Sequence, residues 1–559
     1  MASTQTVPLA TLGARRTRAG VITQTSDDRN QTSSSNEDEE DDFHATPALP
    51  PVSRSQQASV LVAAFLAIAL SIGYNQCYGV FQEYYLSANQ NVLVSSPAAS
   101  SSASSTASGQ PSTALLAFVG TLGGGLTWAG SIFVNPWLSR VEYAAQTPAS
   151  QNANGHNANS SGQPLLQRLL KSARHGLIAS PRSITLAGVA LMGLGFLLAS
   201  FATQVWHLLL TQGLLYGLGS SMLYFPQLGP APEYFNRHRA TALGLILSGG
   251  GVGSLVLSPV VRALLSAVGG RWTLRFLAAL FVVVGTPVAW AVPPSRFPVS
   301  NARSAQNANV DANANADSDS EQPPASATNV VVARRRTHIS TALLVTPAFL
   351  LSVAAAFCQS AGAQLPLTFI PSYSVSLGLS AGTGATLLAV ANVVNAVARV
   401  ATGYAGDRFG RLNILAVSLA GAAIAVGALW GMSVKTASDS DQSALSSSPA
   451  SQLWLAFIVL YSVAAGGYYA LFPATIADVF GIRSYAAVNG FIYFVRGCGT
   501  MLGSPVGGVL LGTGAGGASS SSSYSGVVVW DGALLIGSAM CVLGVRWADA
   551  VRRGWAWRA

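Results

Sequence analysis

Read for apolar and polar positions alone, the chain alternates long apolar stretches with shorter polar ones. Twelve of the apolar stretches approach the roughly 20 residues a helix needs to cross a bilayer core. Six lie at 58–86, 113–138, 183–203, 205–229, 240–266 and 272–293, and six more at 342–364, 381–405, 413–433, 452–477, 485–511 and 526–547. Between the two sets runs a polar Asn/Ala/Ser/Asp segment that ends in Arg334, Arg335 and Arg336. The pattern predicts an all-α membrane protein with twelve transmembrane helices in two six-helix halves. The expected organisation is a tail over 1–56, an N-terminal half over 57–293, a linker over 294–341, a C-terminal half over 342–548 and a short tail over 549–559. The first tail carries the acidic run Glu37 to Asp42 and has too little apolar surface to fold alone. It also lacks the short apolar core of a cleavable signal, so it is expected to stay attached.

Composition agrees with the pattern: half of the residues are apolar and only 9% are charged. The net charge of +9 is read through the loops, because Lys and Arg concentrate on the cytoplasmic side of membrane proteins; nucleic acid binding is the weaker explanation. Arg140, Arg168, Lys171, Arg174 and Arg182 lie between spans 2 and 3, Arg237 and Arg239 between spans 4 and 5, and the arginine triplet between spans 6 and 7. The connections from Leu86 to Ser112, around Gln204, from Gln364 to Ser380 and from Gly512 to Val527 carry none. Both termini are therefore expected in the cytoplasm, and the sequons at Asn30 and Asn159 are expected to carry no glycan. Arg262, Arg271 and Arg275 are exceptions, on the opposite side. The 139–182 connection and the Ser-rich runs at 95–112, 439–451 and 518–525 read as low-complexity insertions. Cys77, Cys358, Cys498 and Cys541 all fall in apolar stretches, where they read as small buried hydrophobes with neither disulfide nor metal spacing.

An internal repeat supports the division into halves. Arg237, Gly244, Gly251, Gly253, Ser258 and Pro259 recur at the same spacings as Arg483, Gly490, Gly497, Gly499, Ser504 and Pro505, so spans 5 and 11 are parallel copies. Phe225-Pro226 and Phe472-Pro473 are expected to end spans 4 and 10 alike. Parallel repeats with a ligand site at their interface form a known transporter plan. In this register Arg496 stands where the first half has Gly250.

The most informative stretch is 391–413, ANVVNAVARVATGYAGDRFGRLN, which puts Arg399 inside an apolar span. A charge at bilayer depth costs about 2.5 kcal/mol or more, so such a residue is expected to face the bundle interior or a watery cavity. Asn392, Asn395, Arg399, Thr402 and Gly406 recur at helical intervals and share one face, whereas Val393, Val394, Val397 and Val400 lie mostly elsewhere. The alternative is an arginine snorkelling to a helix end, with Gly403 and Gly406 stopping the helix early. The run Asp407-Arg408-Phe409-Gly410-Arg411 then reads as a charged gating turn, or else as a solvated loop. Arg496 has two readings as well, a ligand-facing cation or a structural pairing with a backbone carbonyl or Asp407. Asn75, Gln82, Gln212, Tyr216, Gln359, Tyr461 and Tyr468 add polar positions on helical faces, though any one of them is equally read as interhelical glue. The acids within or touching the spans, Glu83, Asp407, Asp478 and Asp531, all lie near predicted ends, so a proton carrier would be peripheral.

These residues carry a family resemblance. Gly79-Val80-Phe81-Gln82-Glu83-Tyr84-Tyr85 and the run from Leu210 to Gly219 resemble the monocarboxylate-transporter-like group of the major facilitator superfamily, its fungal branch in particular. So do Glu233 to Ala240, Ser248 to Gly251 and the pattern of span 8. The resemblance implies that Arg399 binds a substrate carboxylate. It also implies an aspartate one turn earlier for proton coupling, where this chain has Asn395, and a basic residue in span 1, where the nearest candidate is Asn75. The first-half copy of the charged turn, Asn135 to Arg140, lacks the aspartate. The expected function is alternating-access transport of a small organic anion, most naturally a monocarboxylate, with Arg399, Asn395, Asn392, Asn75, Gln212, Tyr216, Gln359 and Arg496 lining the site and Asp407, Arg408 and Arg411 gating it. Another metabolite such as a vitamin, or a solute sensor that carries no flux, remains an alternative. The expected partners are the solute, the lipid bilayer and, as an open option, protons; whether an accessory protein takes part is left open by the sequence. The plasma membrane is the expected location, with a vacuolar or other internal membrane as the alternative. Since no nucleophile–base pair, cofactor motif or metal cluster stands out, an enzyme is not expected.

Overall fold

The computed structural model describes residues 52–87, 90–93, 113–146, 180–235, 238–296, 299–300, 335–336, 341–439, 448–512 and 521–554. The acidic tail, both sequons and most of the linker and Ser-rich insertions lie outside them. Within the described residues the chain is helical apart from a two-residue parallel ladder, Val299–Ser300 with Arg335–Arg336.

In chain order the long elements are α1 (Arg54–Leu86), α2 (Thr113–Ala129 continued by Ser131–Gln146), α3 (Pro181–Ala199) and α4. The last of these runs as Val205–Leu208, a π-helical stretch Leu209–Leu215, and Tyr216–Leu228. A single helical run, Arg239–Trp290, follows. At 52 residues it would be about 78 Å long if straight, more than twice a bilayer core. It is broken at Gly269, whose φ of 76° and ψ of 171° leave the helical region in a conformation that suits glycine. The Tyr84 hydroxyl and the Asn91 Oδ1 each receive the Gly270 N–H at 3.0 Å, so side chains from α1 and the loop after it hold the turn. The run thus divides into α5 (239–268) and α6 (270–290); among the described residues eleven helices are long and apolar enough to cross a membrane, this run counted once.

The second half contains α7 (Pro347–Gly362 with Gln364–Ser376), α8 (Ala381–Phe409) and α9 (Arg411–Ile424, a π-helical stretch Ala425–Trp430, and Gly431–Asp439). It closes with α10 (Pro449–Val479), α11 (Ile482–Gly512) and α12 (Ser525–Arg553). Prolines open α3, α7 and α10 at the first turn, where no N–H is required. Pro226 and Pro473, in contrast, do not stop their helices: both are carried inside, and α10 continues to Val479.

Each half has its own core. Tyr74, Phe196, Tyr216 and Phe281 pack together in the first, with Tyr74 4.7 Å from both Phe196 and Tyr216. Tyr373, Trp430, Trp454 and Phe457 do so in the second. The halves meet where α5 crosses α8 and where α2 crosses α11. At these crossings the backbones nearly touch: a Cβ on Gly244 would lie 2.3 Å from the Arg399 carbonyl oxygen, and one on Gly497 2.5 Å from that of Gly125. Small residues permit this approach, which substitutes for the hydrophobic drive that lipid removes. The four cysteines are free, and Cys77 is buried.

Candidate functional site

Arg399 is placed by the course of α8. Ser380 caps the helix, its Oγ accepting the Thr383 N–H at 3.1 Å, and the helix runs unbroken past Gly403 and Gly406 to Phe409. The polar face expected from the sequence points inward: Asn392, Asn395 and Arg399 are buried, while Val393 and Val397 are exposed. Arg399 is 2% exposed, so its guanidinium lies in the bundle and has not snorkelled to water. Its Nε donates to Asn395 Oδ1 at 2.9 Å, and Asn395 is held in turn by donating its Nδ2 to the Ser462 carbonyl of α10 at 3.0 Å. Its Nη1 crosses the interface between the halves to donate to the Leu247 carbonyl of α5. A Cβ at Gly250 would stand 3.4 Å from the same nitrogen, in ordinary contact.

Arg496 is buried in an aromatic cage. Its guanidinium carbon lies 4.2 Å from the Trp128 ring centre of α2, 4.9 Å from Tyr469, 5.3 Å from Tyr493 and 5.4 Å from Tyr468. Of its two expected pairings neither is made: the cage takes the place of a backbone carbonyl or Asp407, and Nε has no hydrogen-bond partner. The rings of Tyr224 and Tyr493 lie 6.2 Å apart, and neither hydroxyl has a hydrogen-bond partner among the described residues. Tyr469, half-buried, links the two cations, because Arg399 lies over the same ring at 4.5 Å. Each ring face attracts a cation by about 0.5–2 kcal/mol, so the single ring over Arg399 falls well short of the several kcal/mol that removing a guanidinium from water costs. Among the described residues no carboxylate pairs with either arginine.

The other expected positions separate. Asn75 donates to Thr127 Oγ1 at 3.3 Å, beside Trp128. Tyr216 belongs to the N-terminal core, its hydroxyl donating to the Ser71 carbonyl, and Gln212 accepts from the Tyr85 hydroxyl at 3.2 Å. Asn392 is buried where its carbonyl meets Gly251, and Gln359 in α7 keeps an unpartnered Oε1.

The charged turn is built around Gly410, which at φ 100° swings the chain from α8 into α9. Asp407 then accepts from Arg411 Nε at 2.9 Å and Nη2 at 2.8 Å. It also reaches across the interface to accept the N–H groups of Ala240 and Thr241 at 3.1 and 2.8 Å and the Thr241 hydroxyl at 2.7 Å. A carboxylate there faces the positive end of α5. Arg411 continues to Asp478 at 2.8 Å, and Asp478 receives Arg239 of the first half at 3.0 Å. Arg408 stands apart, exposed and 5.7 Å from the Phe409 ring. In the sequence Arg239 stands out only as a loop charge and Asp478 only as an end acid, and Tyr469, Trp128 and Tyr493 do not stand out at all. The Tyr468-Tyr469 pair inside a span, and Tyr493 three residues before Arg496, were the available signals.

A bundle of apolar helices with repeated halves and cations at their junction is the plan of a membrane transporter. Residues 158–443 match the Major Facilitator Superfamily, just over half of the chain, and the chain belongs to that family. Its relatives include an MFS-type transporter of Gibberella moniliformis, 27% identical over 359 residues that cover 64% of this chain and 73% of the relative. Monocarboxylate transporter 12 of Mus musculus is 26% identical over 387 residues, 68% of this chain and 75% of that one. Monocarboxylate transporter 11 of Homo sapiens is 26% identical over 342 residues, 59% and 62% of the two chains. The crystal structure of a bacterial homologue of the iron transporter ferroportin, in an outward-facing state with soaked iron, superposes with a TM-score of 0.52 at 12% identity, covering 88% of this chain and 99% of that one. At that identity the likeness concerns the fold alone. The family is one of transporters, not of enzymes.

Proposed function

We propose that the protein carries a small organic anion, a monocarboxylate in the first instance, by alternating access between its two halves. The observation that supports this reading most directly is the pair of buried arginines, Arg399 and Arg496, that share the Tyr469 ring without a paired carboxylate. An entering carboxylate would supply the missing charge. Asn395 and the Leu247 carbonyl take two N–H groups of Arg399, which leaves others of its fork for a ligand, while the rings of the cage suit an anion with an apolar body. The likeness to monocarboxylate transporters 11 and 12 favours the same substrate class. The network of Asp407, Arg411, Asp478 and Arg239 acts as a latch on the end where α8 turns into α9. With both termini in the cytoplasm and the chain in the plasma membrane, that end is the cytoplasmic one, and substrate release there requires the latch to part.

The test is concentration-dependent uptake of a panel of radiolabelled monocarboxylates into vesicles containing the purified protein. Arg399→Lys keeps the charge and loses the fork, so one charge-assisted bond of roughly 1.5–3 kcal/mol is lost and affinity falls about tenfold or more. Arg399→Ala should be weaker still. A lysine variant with wild-type affinity rules out carboxylate docking by Arg399.

A further inference from the structure

The sequence placed Asp531 near the start of the last span. The structure puts it on the seventh residue of α12 with no exposure at all, and neither carboxyl oxygen has a hydrogen-bond partner. What it lies against is a joint. Helix α7 is interrupted between Gly362 and Gln364, and a Cβ at Gly362 would stand 2.8 Å from Asp531 Oδ1, so the carboxyl rests on the α7 backbone at the break. The neighbouring Ala363 carbonyl is engaged by the Tyr461 hydroxyl of α10 at 3.0 Å, and Tyr461 is also within electrostatic reach of Asp531. On its other side the joint packs against α11 just beyond Arg496: a Cβ on Gly499 would meet Ser360 Oγ at 2.3 Å, and one on Gly503 the Ala361 carbonyl oxygen at 2.0 Å.

We propose that Asp531 is a proton site, protonated in this packing and coupled through the α7 joint to the cationic centre. An ionised carboxylate buried without a hydrogen bond costs several kcal/mol, and taking up a proton removes that charge. The groups that face it offer no other counter-ion. From α10 the titratable group is Tyr461 and from α7 the contact is Gly362; elsewhere along α12, Cys358 of α7 stands opposite Gly537, Val426 of α9 opposite Gly532 and Leu510 of α11 opposite Gly526. Among the described residues no Arg, Lys or His forms an ion pair with it. A sodium ion is disfavoured because it would need several converging oxygens, and the carbonyl at the joint, that of Ala363, already accepts the Tyr461 hydroxyl with one of its two lone pairs. If α7 bends at Ala363 during alternating access, both contacts at the joint change together. Asp531 would then meet water and release its proton while α11 shifts Arg496.

This coupling rests on the anion-transport reading above, so the experiment has two arms. In the first, infrared spectra of the full-length protein in lipid vesicles are compared for wild type and Asp531→Asn. The expected difference at neutral pH is the C=O stretch of a protonated buried carboxyl, present only in wild type; its absence overturns the proton site and requires no substrate. In the second, vesicles with an inside-alkaline gradient of one pH unit are given the labelled monocarboxylate that the uptake panel identifies. A symported monoanion accumulates roughly tenfold in wild type, and Asp531→Asn should only equilibrate it while retaining exchange. Wild-type accumulation in the variant overturns the coupling. Loss of exchange as well also overturns it, assigning Asp531 to folding or binding instead. If no carboxylate is carried at all, the transport reading fails by itself, and the infrared arm still decides whether Asp531 holds a proton.

Discussion

The two crossings that join the halves are repeats of one another, yet they carry different chemistry. At the α5–α8 crossing a glycine of the first half, Gly250, lies beside an arginine of the second, Arg399. At the α2–α11 crossing the arginine again comes from the second half, as Arg496, and the first half contributes Trp128. Thr127 precedes Asn135 by the same interval that separates Arg399 from Asp407, so the first half has a hydroxyl where the second has a guanidinium. The ends differ in the same way. Asp407 gathers Arg411 and two N–H groups of α5, whereas Asn135 makes a single neutral bond to the Ala486 carbonyl of α11 at 3.4 Å, with Ser131 bonded to the Gly490 carbonyl at 2.6 Å. At the two crossings the buried arginines come from the second half and the first half supplies a carbonyl or a ring against them, although at the charged end the first half adds Arg239. The repeat has thus kept its backbone crossings while the charges at them have diverged between the halves.

The largest test of this contrast removes both ends in turn. Asp407 is 5% exposed in its side chain and carries a partner cation, so Asp407→Ala leaves Arg411 and two N–H groups short of an acceptor. Arg411 keeps its pair with Asp478, so the variant should destabilise the packing at this end by about 1.5–3 kcal/mol. Asn135→Ala at the matching place should cost about 0.5–1.5 kcal/mol. Accessibility of a cysteine introduced at the α8–α9 end, compared between the two variants, reads the difference; equal effects would dissolve the distinction between a charged and a neutral end.

Next in size is Asn395→Asp, which moves a carboxylate within reach of Arg399 Nε, now 2.9 Å from Asn395 Oδ1. When ionised it competes with a substrate anion for Arg399, and when protonated it does not. Uptake by the variant should therefore rise as pH falls, by about tenfold between the two forms, and a pH profile identical to wild type would count against Arg399 as the docking group. The smallest effect is expected at Arg262, whose ion pair with Glu83 at 2.9 Å is exposed on both sides, at 53% and 68%. Arg262→Gln should change thermal stability by less than about 1 kcal/mol. A loss matching that of Asp407→Ala would mean that burial is not what separates the two ion pairs.

Much of this molecule was legible in the sequence because lipid leaves a chain few choices. Every backbone group in a bilayer must be bonded within its own helix, so apolar length alone located the spans, and Gly269 fell in the short gap expected between the fifth and sixth. Periodicity put Asn392, Asn395 and Arg399 on one face, since that follows from the helix repeat and not from neighbours. The spacing of the glycines in spans 5 and 11 exposed the repeat, because close crossing demands small residues at set intervals. What the sequence did not contain was distance between helices. Arg239 and Asp478 are 239 positions apart, and nothing local marks them as a pair. Tyr469 reads as one more aromatic in an apolar span until two arginines from different helices are found over its ring. Asp531 sits close to the start of its helix in the linear order, yet the packing of α7 around it, not its position along the chain, removes it from water. Composition and periodicity determined which residues would be helical and which face of each helix would be polar; only the docking of one half on the other decided which charges are buried and which of them are paired.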